Sequence, residues 1–463
     1  MAEVIPQLPT ELWARIAAFC DRKTLKSLCL TSRGCSRFAA RELFREVRLT
    51  ASDPSCARLE QIRAHERLKQ YVNKINLGLR GWSPDFLDKY PSLVQDWQGE
   101  ADEDPILPGR FIKLVESLKM FPNLRNVNVL FDPQCALEDD YNDVPQSIEF
   151  RSSTMRLLLS SLTSFPQPQL ALGLQNYQNV NPQDTETASM LKQVLESLQS
   201  LRLGILNESC EGNGEYDLEY DQAHIFTREL PTVWLQPASA TLRHLTLYGT
   251  LYFGFYPKLD LRDIHFPNLQ SLALGNYAFV HDTQLDWILS HSPTLQKLYM
   301  DDCAILYEVG IYDRDRCYLS PTEMRRCAKE SWQGRVKYRA SYSKRWHDYF
   351  RAFEQRLPEL RHFSFGSSPN WWDNGGIPFE MEAEIQMVLG VGSYLVFCDG
   401  YGPSPYMDRW IVSDNDDDDD ADSIQYPECK EEDADALGAL LRKTGQSADR
   451  ERLLECYILA SGV

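Results

Sequence analysis

A short leucine pattern returns along the chain at a nearly constant distance. The stretches TLRHLTLYG (241–249), NLQSLALGN (268–276) and TLQKLYMDD (294–302) share the spacing L-x-x-L-x-L. Their first leucines, Leu242, Leu269 and Leu295, are 27 and 26 residues apart. A fixed period of this size indicates a unit of strand and helix that buries its apolar side only against neighbouring units. The pattern therefore predicts one elongated α/β domain.

Further copies of the pattern flank these three. They begin at Tyr71, Asn123, Ser197 and Glu359. The spacing is similar to that of leucine-rich repeats, in which the leucines point into the core and alternate residues line the concave face of the sheet. The steps between copies are uneven, and the asparagine ladder of regular leucine-rich repeats is missing. An irregular solenoid with insertions is therefore expected.

Period-two alternation also selects side chains for the concave face, where a target would bind. The selected residues are Arg202, Thr246, Tyr248, Lys297, Tyr299, Asp301 and His362. Tyr248 and Tyr299 are the first candidates, because aromatic anchors dominate the energetics of interfaces. The alternative, that each is an ordinary exposed strand residue, stays open.

A compact helical pattern precedes the repeats, at positions 8–44. Leu12, Ile16 and Phe19 share one helical face, and two further short helical patterns follow. So small a unit cannot bury all of its apolar side chains by itself. Part of its apolar surface is therefore expected to contact the rest of the chain or another protein.

The order and spacing of these residues resemble the F-box, in which Leu-Pro, Glu-Leu, a spaced Ile, Leu-x-x-Leu and Ser-Arg precede a basic, aromatic helix. The resemblance rests on Leu8, Pro9, Glu11, Leu12, Ile16, Leu25, Leu28, Ser32, Arg33, Phe38 and Leu43. Leu30 and Thr31 depart from the commonest pattern, which has Val-Cys or Val-Ser there. A helical cap on the following domain is the alternative interpretation.

The resemblance implies a function as well as a fold. F-box proteins bind a Skp-type adaptor, and through it a cullin, and so recruit a target protein to a ubiquitin ligase. The residues that would contact the adaptor are Leu8, Pro9, Leu12, Ile16, Leu25 and Leu28. The irregular repeats are similar to those of fungal F-box proteins. Two other interpretations compete, namely an interaction scaffold outside any ligase and a diverged hydrolase.

Composition narrows the class of protein further. The chain is 43% hydrophobic and 25% charged, as a globular protein is, and its net charge of -19 argues against a nucleic-acid-binding surface. Twelve cysteines without a C-x-x-C pair, and an N-terminus without a signal-peptide pattern, favour a cytoplasmic or nuclear location. No apolar stretch reaches the ~18 residues of a membrane span. Nucleotide-binding, nucleophile-elbow and zinc-protease motifs are missing, so neither catalysis nor a cofactor or metal is expected.

The expected domain organisation follows from these patterns. It comprises an F-box at 1–50, a linker helix at 51–66, the repeat domain at 67–370 and a C-terminal cap at 371–463. Insertions interrupt the repeat domain at 131–150, 205–235 and 303–357. The acidic run at 413–422 is expected to be a mobile loop without a calcium site.

One insertion reverses the charge of the chain. Residues 313–351 contain eleven Lys and Arg but only five Asp and Glu. Ser320, Pro321 and Glu323 resemble a helix start, and Trp346 begins an apolar helical face that ends before Pro358. The insertion is therefore interpreted as an enlarged helix pair with a solvated basic face. A binding site for an acidic partner, or for the chain's own acidic tail, is the alternative.

Overall fold

Each copy of the leucine pattern forms a strand of one sheet in the computed structural model of the chain. The structure describes residues 9–79, 107–133, 135, 146–165, 170–208, 218, 220–332, 335–368, 382–398, 401–404, 426–449, 451 and 453. The expectations for Leu8 and for the acidic run at 413–422 concern residues outside these ranges. The described part of the chain is a mixed α/β structure built on a largely parallel sheet.

The strands of this sheet follow one another in chain order. They are β1 (Glu46–Thr50), β2 (Lys74–Gly78), β3 (Asn126–Leu130), β4 (Leu170–Gln178), β5 (Leu198–Leu206), β6 (His244–Phe253), β7 (Ser271–Phe279), β8 (Lys297–Asp301) and β12 (His362–Ser367). Each pairs in parallel with the next. A short antiparallel strand, β13 (Gln386–Met387), pairs with β12.

Helices connect the strands and pack on one side of the sheet. They are α4 (Asp53–Ala64), α5 (Gly109–Glu116), α6 (Ile148–Thr163), α7 (Thr185–Leu195), α8 (Asp221–Leu230), α9 (Asp282–Leu289), α10 (Trp346–Arg356) and α11 (Lys430–Lys443). The predicted linker helix corresponds to α4, and the apolar face from Trp346 corresponds to α10. Helix α8 lies within the predicted insertion at 205–235, so that region supplies a helix of the regular layer. No described helix has the length and apolarity that a membrane crossing requires.

The core lies between the sheet and these helices. Leu201, Leu245, Leu272 and Leu298 occupy matching register positions on four neighbouring strands. Each is at most 1% exposed. The period-two alternation of the pattern therefore does point its leucines inward, and replacing one of them by alanine is expected to cost about 2–5 kcal/mol.

Three short helices precede the sheet. They are α1 (Thr10–Ala18), α2 (Arg22–Thr31) and α3 (Arg33–Leu43), and they enclose a small core of their own around Ala17, Leu25 and Ala39. Ser32 is the N-cap of α3 and accepts a hydrogen bond from the backbone N–H of Cys35. Residues 46–50 were expected to belong to this unit, but they form β1, because Val47 and Leu49 pair with Ile75 and Leu77 of β2.

A second, smaller sheet branches from the end of β7. It contains β9 (Ala304–Ile311), β10 (Arg325–Trp332), β11 (Arg335–Ser341), β14 (Tyr394–Cys398) and β15 (Tyr401–Ser404). Phe255, Leu306 and Phe397 lie in its separate core. This sheet accounts for the long step between the repeat copies at β8 and β12.

The helix predicted from Ser320 does not form. The backbone N–H of Ser320 donates to the carboxylate of Glu323, as in a helix start. The Ser320 hydroxyl, however, donates to the same carboxylate instead of accepting from the backbone, and the chain then turns into the antiparallel hairpin β10–β11. The sequence RVKYRAS of β11 alternates charged and small or apolar residues, which suits a strand rather than a helix. The interpretation of 313–351 as a helix pair is therefore wrong for its first half.

Candidate functional site

The side of the sheet opposite the helices carries the seven predicted target-binding residues. We call it the open face and define it by three rows of residues in register across β5, β6, β7, β8 and β12. The rows are Ser200, His244, Ser271, Lys297 and His362; then Arg202, Thr246, Ala273, Tyr299 and Ser364; then Gly204, Tyr248, Gly275, Asp301 and Gly366. The fold therefore brings all seven predicted residues together on one surface.

The third row of the open face is buried. Tyr248 is 2% exposed, and its hydroxyl donates to Asp301 Oδ2 at 3.0 Å. The backbone N–H of Ser368 donates to Asp301 Oδ1 at 2.8 Å, and the Ser368 hydroxyl donates to Oδ2 at 2.5 Å. Burial raises the pKa of Asp301, and it also raises the pKa of Tyr248. The expectation that Tyr248 and Asp301 are exposed is therefore wrong, because the two side chains contact each other and Ser368, directly after β12, binds the Asp301 carboxylate.

Glu382 covers part of the second row. Its carboxylate forms an ion pair with Arg202 and accepts a hydrogen bond from the Thr246 hydroxyl at 3.2 Å. Thr246 is 8% exposed as a result, whereas the Arg202 side chain keeps 25% of its surface. Thr246 was also expected to be exposed, and its contact with Glu382 explains why it is not.

Most residues of the open face that stay accessible are basic or aromatic, with Ser200 and Ser271 beside them. Lys297 and His244 are exposed, and the rings of Tyr299 and His362 lie 5.2 Å apart. Burial, followed by the positive charge of Lys297, lowers the pKa of both His244 and His362. Among the described residues Lys297 makes no ion pair, so this part of the face is positive although the chain as a whole is acidic.

The helical unit α1–α3 also exposes large apolar side chains. Leu12 and Ile16 are each 42% exposed, Phe19 is 90% exposed and Leu30 is 89% exposed. We call these four residues the apolar strip. Two of them, Leu12 and Ile16, were predicted to contact an adaptor, and Phe19 was recognised only as part of the same helical face. Their exposure agrees with the expectation that the unit cannot bury all of its apolar side chains.

The other predicted adaptor residues divide between surface and core. Pro9 is exposed and precedes the first turn of α1. Leu25 is 6% exposed in the small core, and Leu28 packs against that core. Leu25 therefore stabilises the unit and has little surface left for a partner, whereas Leu30, which sequence reasoning did not select, has most of its surface available.

Asparagines at strand ends were missed by sequence reasoning. Asn176 and Asn276 have φ angles of 55° and 56°, and their side-chain amides donate to the backbone oxygens of Phe131 and Gly249 on the preceding strands. Each ties its strand to the preceding part of the sheet, but β4 and β7 are not neighbours, so the two asparagines do not form the continuous ladder of regular leucine-rich repeats. The shared sequence L-x-L-x-N-Y, ending at Tyr177 and Tyr277, was the available signal.

The charges of the basic insertion are largely engaged within the chain. The Arg314 guanidinium lies 4.8 Å from the centre of the Tyr338 ring, and Arg316 forms an ion pair with Asp221 at 2.5 Å. Lys344 lies 3.6 Å from Asp282. These contacts fasten the insertion to the surrounding elements, and they weaken its interpretation as a site for an acidic partner.

A cluster of His347, Cys429 and Asp433 joins α10 to α11. The Asp433 carboxylate lies 2.9 Å from His347 Nδ1 and 3.5 Å from Cys429 Sγ. Burial raises the pKa of Cys429 to about 12, whereas a nucleophilic cysteine needs a lowered pKa. Cys429 therefore lacks the lowered pKa of a nucleophile, although the atoms of the cluster are of the kinds that bind metals.

Comparison with known proteins gives a short similarity. No protein-family model matches the chain. The chain is 34% identical over 74 residues to an F-box/LRR-repeat protein of Arabidopsis thaliana, which is 16% of this chain and 19% of that protein. The chain thus matches about a fifth of the length of this curated relative. The similarity supports a likeness to F-box/LRR-repeat proteins over a short part of the chain.

Proposed function

We propose that the chain is a substrate-recruiting subunit of a Skp–cullin–F-box ubiquitin ligase. In this proposal α1–α3 form the F-box and bind a Skp-type adaptor, and the sheet with its helices is an irregular leucine-rich-repeat domain that binds a target protein. Ubiquitin transfer belongs to other subunits, so the chain itself is not an enzyme. It would act in the cytoplasm, the nucleus or both.

The observation that carries this proposal is the apolar strip. Leu12, Ile16, Phe19 and Leu30 are large apolar side chains with 42–90% of their surface exposed, all on a unit that has its own core. Fully burying one such side chain contributes roughly 1.5–3 kcal/mol. Exposed apolar side chains of this size on so small a unit favour a partner protein, and the F-box resemblance is the reason we propose a Skp-type adaptor as that partner.

Target binding is assigned to the accessible part of the open face. Arg202, His244, Lys297, Tyr299 and His362 offer cationic and aromatic groups on adjacent strands. Arginine and tyrosine anchors are frequent among the residues that dominate interface energetics. We therefore propose that the target presents an acidic segment to this face, since its charge complements that of Lys297 and its neighbours.

Capture of a purified Skp-type adaptor by the full-length chain tests the first half of the proposal. We expect Ile16→Asp to abolish capture, because a carboxylate would have to be buried against apolar adaptor side chains. The matched control is Ala18→Asp, which adds the same charge to an exposed position on the other side of α1. Equal capture by both variants and the wild type would contradict the assignment of the apolar strip.

A non-ligase scaffold is the second candidate function, because it would use the same two surfaces. The two candidates differ in what happens to the bound target. A ligase subunit makes the turnover of that target depend on the cullin, and Ile16→Asp would then lengthen the lifetime of the target. A scaffold would leave the lifetime unchanged although the target is bound.

A further inference from the structure

The cluster of His347, Cys429 and Asp433 gathers three kinds of metal ligand in the interior. One ligand atom from each residue lies within 4.8 Å of the other two. Asp433 is fully buried and Cys429 is 8% exposed, while the His347 side chain keeps 17% of its surface. The imidazole comes from the first turn of α10, and the thiol and the carboxylate come from the start of α11.

The separations within the cluster approach those of a coordinated ion. Ligand atoms around tetrahedral zinc lie about 2.0–2.3 Å from the metal, and hence roughly 3.3–3.6 Å from one another. The two oxygens of Asp433 face different neighbours, with Oδ1 at 2.9 Å from His347 Nδ1 and Oδ2 at 3.5 Å from Cys429 Sγ. An ion in front of this carboxylate would therefore meet nitrogen on one side and sulfur on the other.

We propose that His347, Cys429 and Asp433 bind one zinc ion. Thiolate, imidazole and carboxylate together suit zinc, whereas a thiolate disfavours magnesium and calcium. The thiolate and the carboxylate balance the charge of the ion, so the filled site is neutral within the core. The Tyr394 hydroxyl, 2.7 Å from Asp433 Oδ2 and 3.3 Å from Cys429 Sγ, or a solvent molecule supplies the fourth ligand.

Binding exchanges a proton for the ion. Cys429 releases its thiol proton to solvent and binds as the thiolate, which the cation stabilises in a place where burial otherwise keeps the thiol protonated. His347 binds through Nδ1, so the proton that Nδ1 donates to Asp433 Oδ1 in the metal-free chain moves by way of solvent to Nε2, which lies 3.7 Å from Asp348 Oδ1. A carboxylate behind a ligand histidine orients the ring and fixes its tautomer in many metal sites.

The ion would fasten the last described helix to the body of the protein. Asp433 already accepts a hydrogen bond from the backbone N–H of His347 at 2.8 Å, which holds the start of α10 against α11. A zinc ion adds coordinate bonds across the same junction, so it raises the stability of the folded chain. This role is independent of adaptor and target binding.

Cobalt substitution in the full-length chain tests the proposal, because a thiolate bound to Co²⁺ gives a charge-transfer band in the near ultraviolet. The purified chain is stripped with a chelator and titrated with CoCl₂ and, separately, with ZnCl₂. We expect the band to saturate at one equivalent of cobalt, and we expect zinc to abolish it by displacement and to raise the Tm of the stripped chain. Cys429→Ser should lose the band and the rise in Tm.

Two further variants make the result specific. Cys56→Ser removes another core thiol, which is 1% exposed and lies outside the cluster, and it should keep the band and the rise in Tm. His347→Gln keeps the thiolate and should weaken cobalt binding at least tenfold, so it decides the question if Cys429→Ser does not fold. A stripped wild-type chain with no band and no rise in Tm would overturn the proposal, as would unchanged binding in His347→Gln.

Discussion

The carboxylate of Glu382 accepts a hydrogen bond from the guanidinium of Arg202, although the two residues are 180 positions apart in the chain. The same oxygen accepts a hydrogen bond from Thr246 on the neighbouring strand. Glu382 lies shortly before β13, the strand that pairs with β12. The ion pair thus holds a late segment of the chain over the open face to which we assign target binding.

Removing this carboxylate should make the open face bind anions more strongly. In Glu382→Ala the charge of Arg202 is no longer balanced by Glu382, and Thr246 loses part of its cover. We expect a fluorescent poly-glutamate peptide to bind Glu382→Ala several-fold more tightly than the wild type at low salt, and the gain to shrink as salt is added. Fluorescence anisotropy measures both effects.

The control for this prediction is Glu384→Ala. Glu384 is exposed and lies two residues further along the same segment, so its removal changes the net charge by the same amount. We expect Glu384→Ala to bind the peptide as the wild type does. An equal gain in both variants would show that overall charge, and not the contact with Arg202, controls anion binding.

The ring of Tyr248 lies across Gly275 of the adjacent strand, and the two residues should be energetically coupled. A Cβ atom at Gly275 would come within 2.3 Å of Tyr248 Cδ1, which is closer than real atoms approach. Gly275→Ala is therefore expected to lower the free energy of unfolding by about 1–3 kcal/mol. Urea denaturation followed by circular dichroism measures this loss.

A double-mutant cycle identifies the cause of that loss. In a Tyr248→Ala background the added methyl group meets open space, so Gly275→Ala should cost much less than it does alone. We expect a coupling free energy of roughly 0.5–3 kcal/mol between the two positions. If the two substitutions lower the free energy of unfolding additively, the cost of Gly275→Ala comes from the backbone at Gly275 and not from a clash with the tyrosine ring.

Substitutions of Leu25 and Leu30 should have different effects, because Leu25 belongs to the core of the helical unit and Leu30 to its apolar strip. Leu25→Ala removes a side chain that is 6% exposed, and we expect it to destabilise the unit by about 2 kcal/mol or more. Leu30 is 89% exposed, so Leu30→Ala should leave the unit intact and weaken adaptor capture only. Hydrogen exchange within residues 10–43 measures the local stability of each variant. Faster hydrogen exchange in Leu30→Ala would contradict this prediction, because it would mean that the Leu30 side chain packs within the unit.

The strands could be predicted from local sequence patterns, because inward and outward side chains alternate within each strand. Leu245 and Leu247 point inward wherever the repeat places them, and no distant residue is needed to decide this. Strand β4 was missed because Gln169 stands where the first leucine of the pattern belongs, and a bulge lets Leu170 pair with Leu198 instead. One irregular position is enough to hide a strand from a pattern of fixed spacing.

Burial and clustering depend on contacts that no local pattern contains. Tyr248 occupies an outward position on its strand, but Asp301 and Ser368 enclose it from segments 53 and more residues away. His347 and Cys429 meet only because α10 and α11 pack together. Sequence reasoning could therefore place side chains on a face, but it could not tell which of them the rest of the chain covers.

The partly buried carboxylate of Asp302 should make stability depend on pH between about 4 and 6. Burial, followed by the charge of Asp301, raises the pKa of Asp302 from 3.8 to about 6 in the folded chain. A raised folded pKa gives stability that is fully present below the unfolded pKa and is lost as the pH rises through the folded value. Asp302 therefore destabilises the folded chain above about pH 6.

Replacing Asp302 by asparagine should remove this penalty without straining the backbone. Asp302 has a φ of 51°, and asparagine holds the similar angles at Asn176 and Asn276. We expect Asp302→Asn to unfold like the wild type near pH 4 and to be more stable above pH 6, by roughly 1–3 kcal/mol. Urea denaturation across this range, with the exposed Asp263→Asn as a control for net charge, gives the difference. A difference in stability between Asp302→Asn and the wild type that stays constant from pH 4 to pH 7 would contradict this prediction. A titrating carboxylate at position 302 should make that difference grow between pH 4 and pH 6.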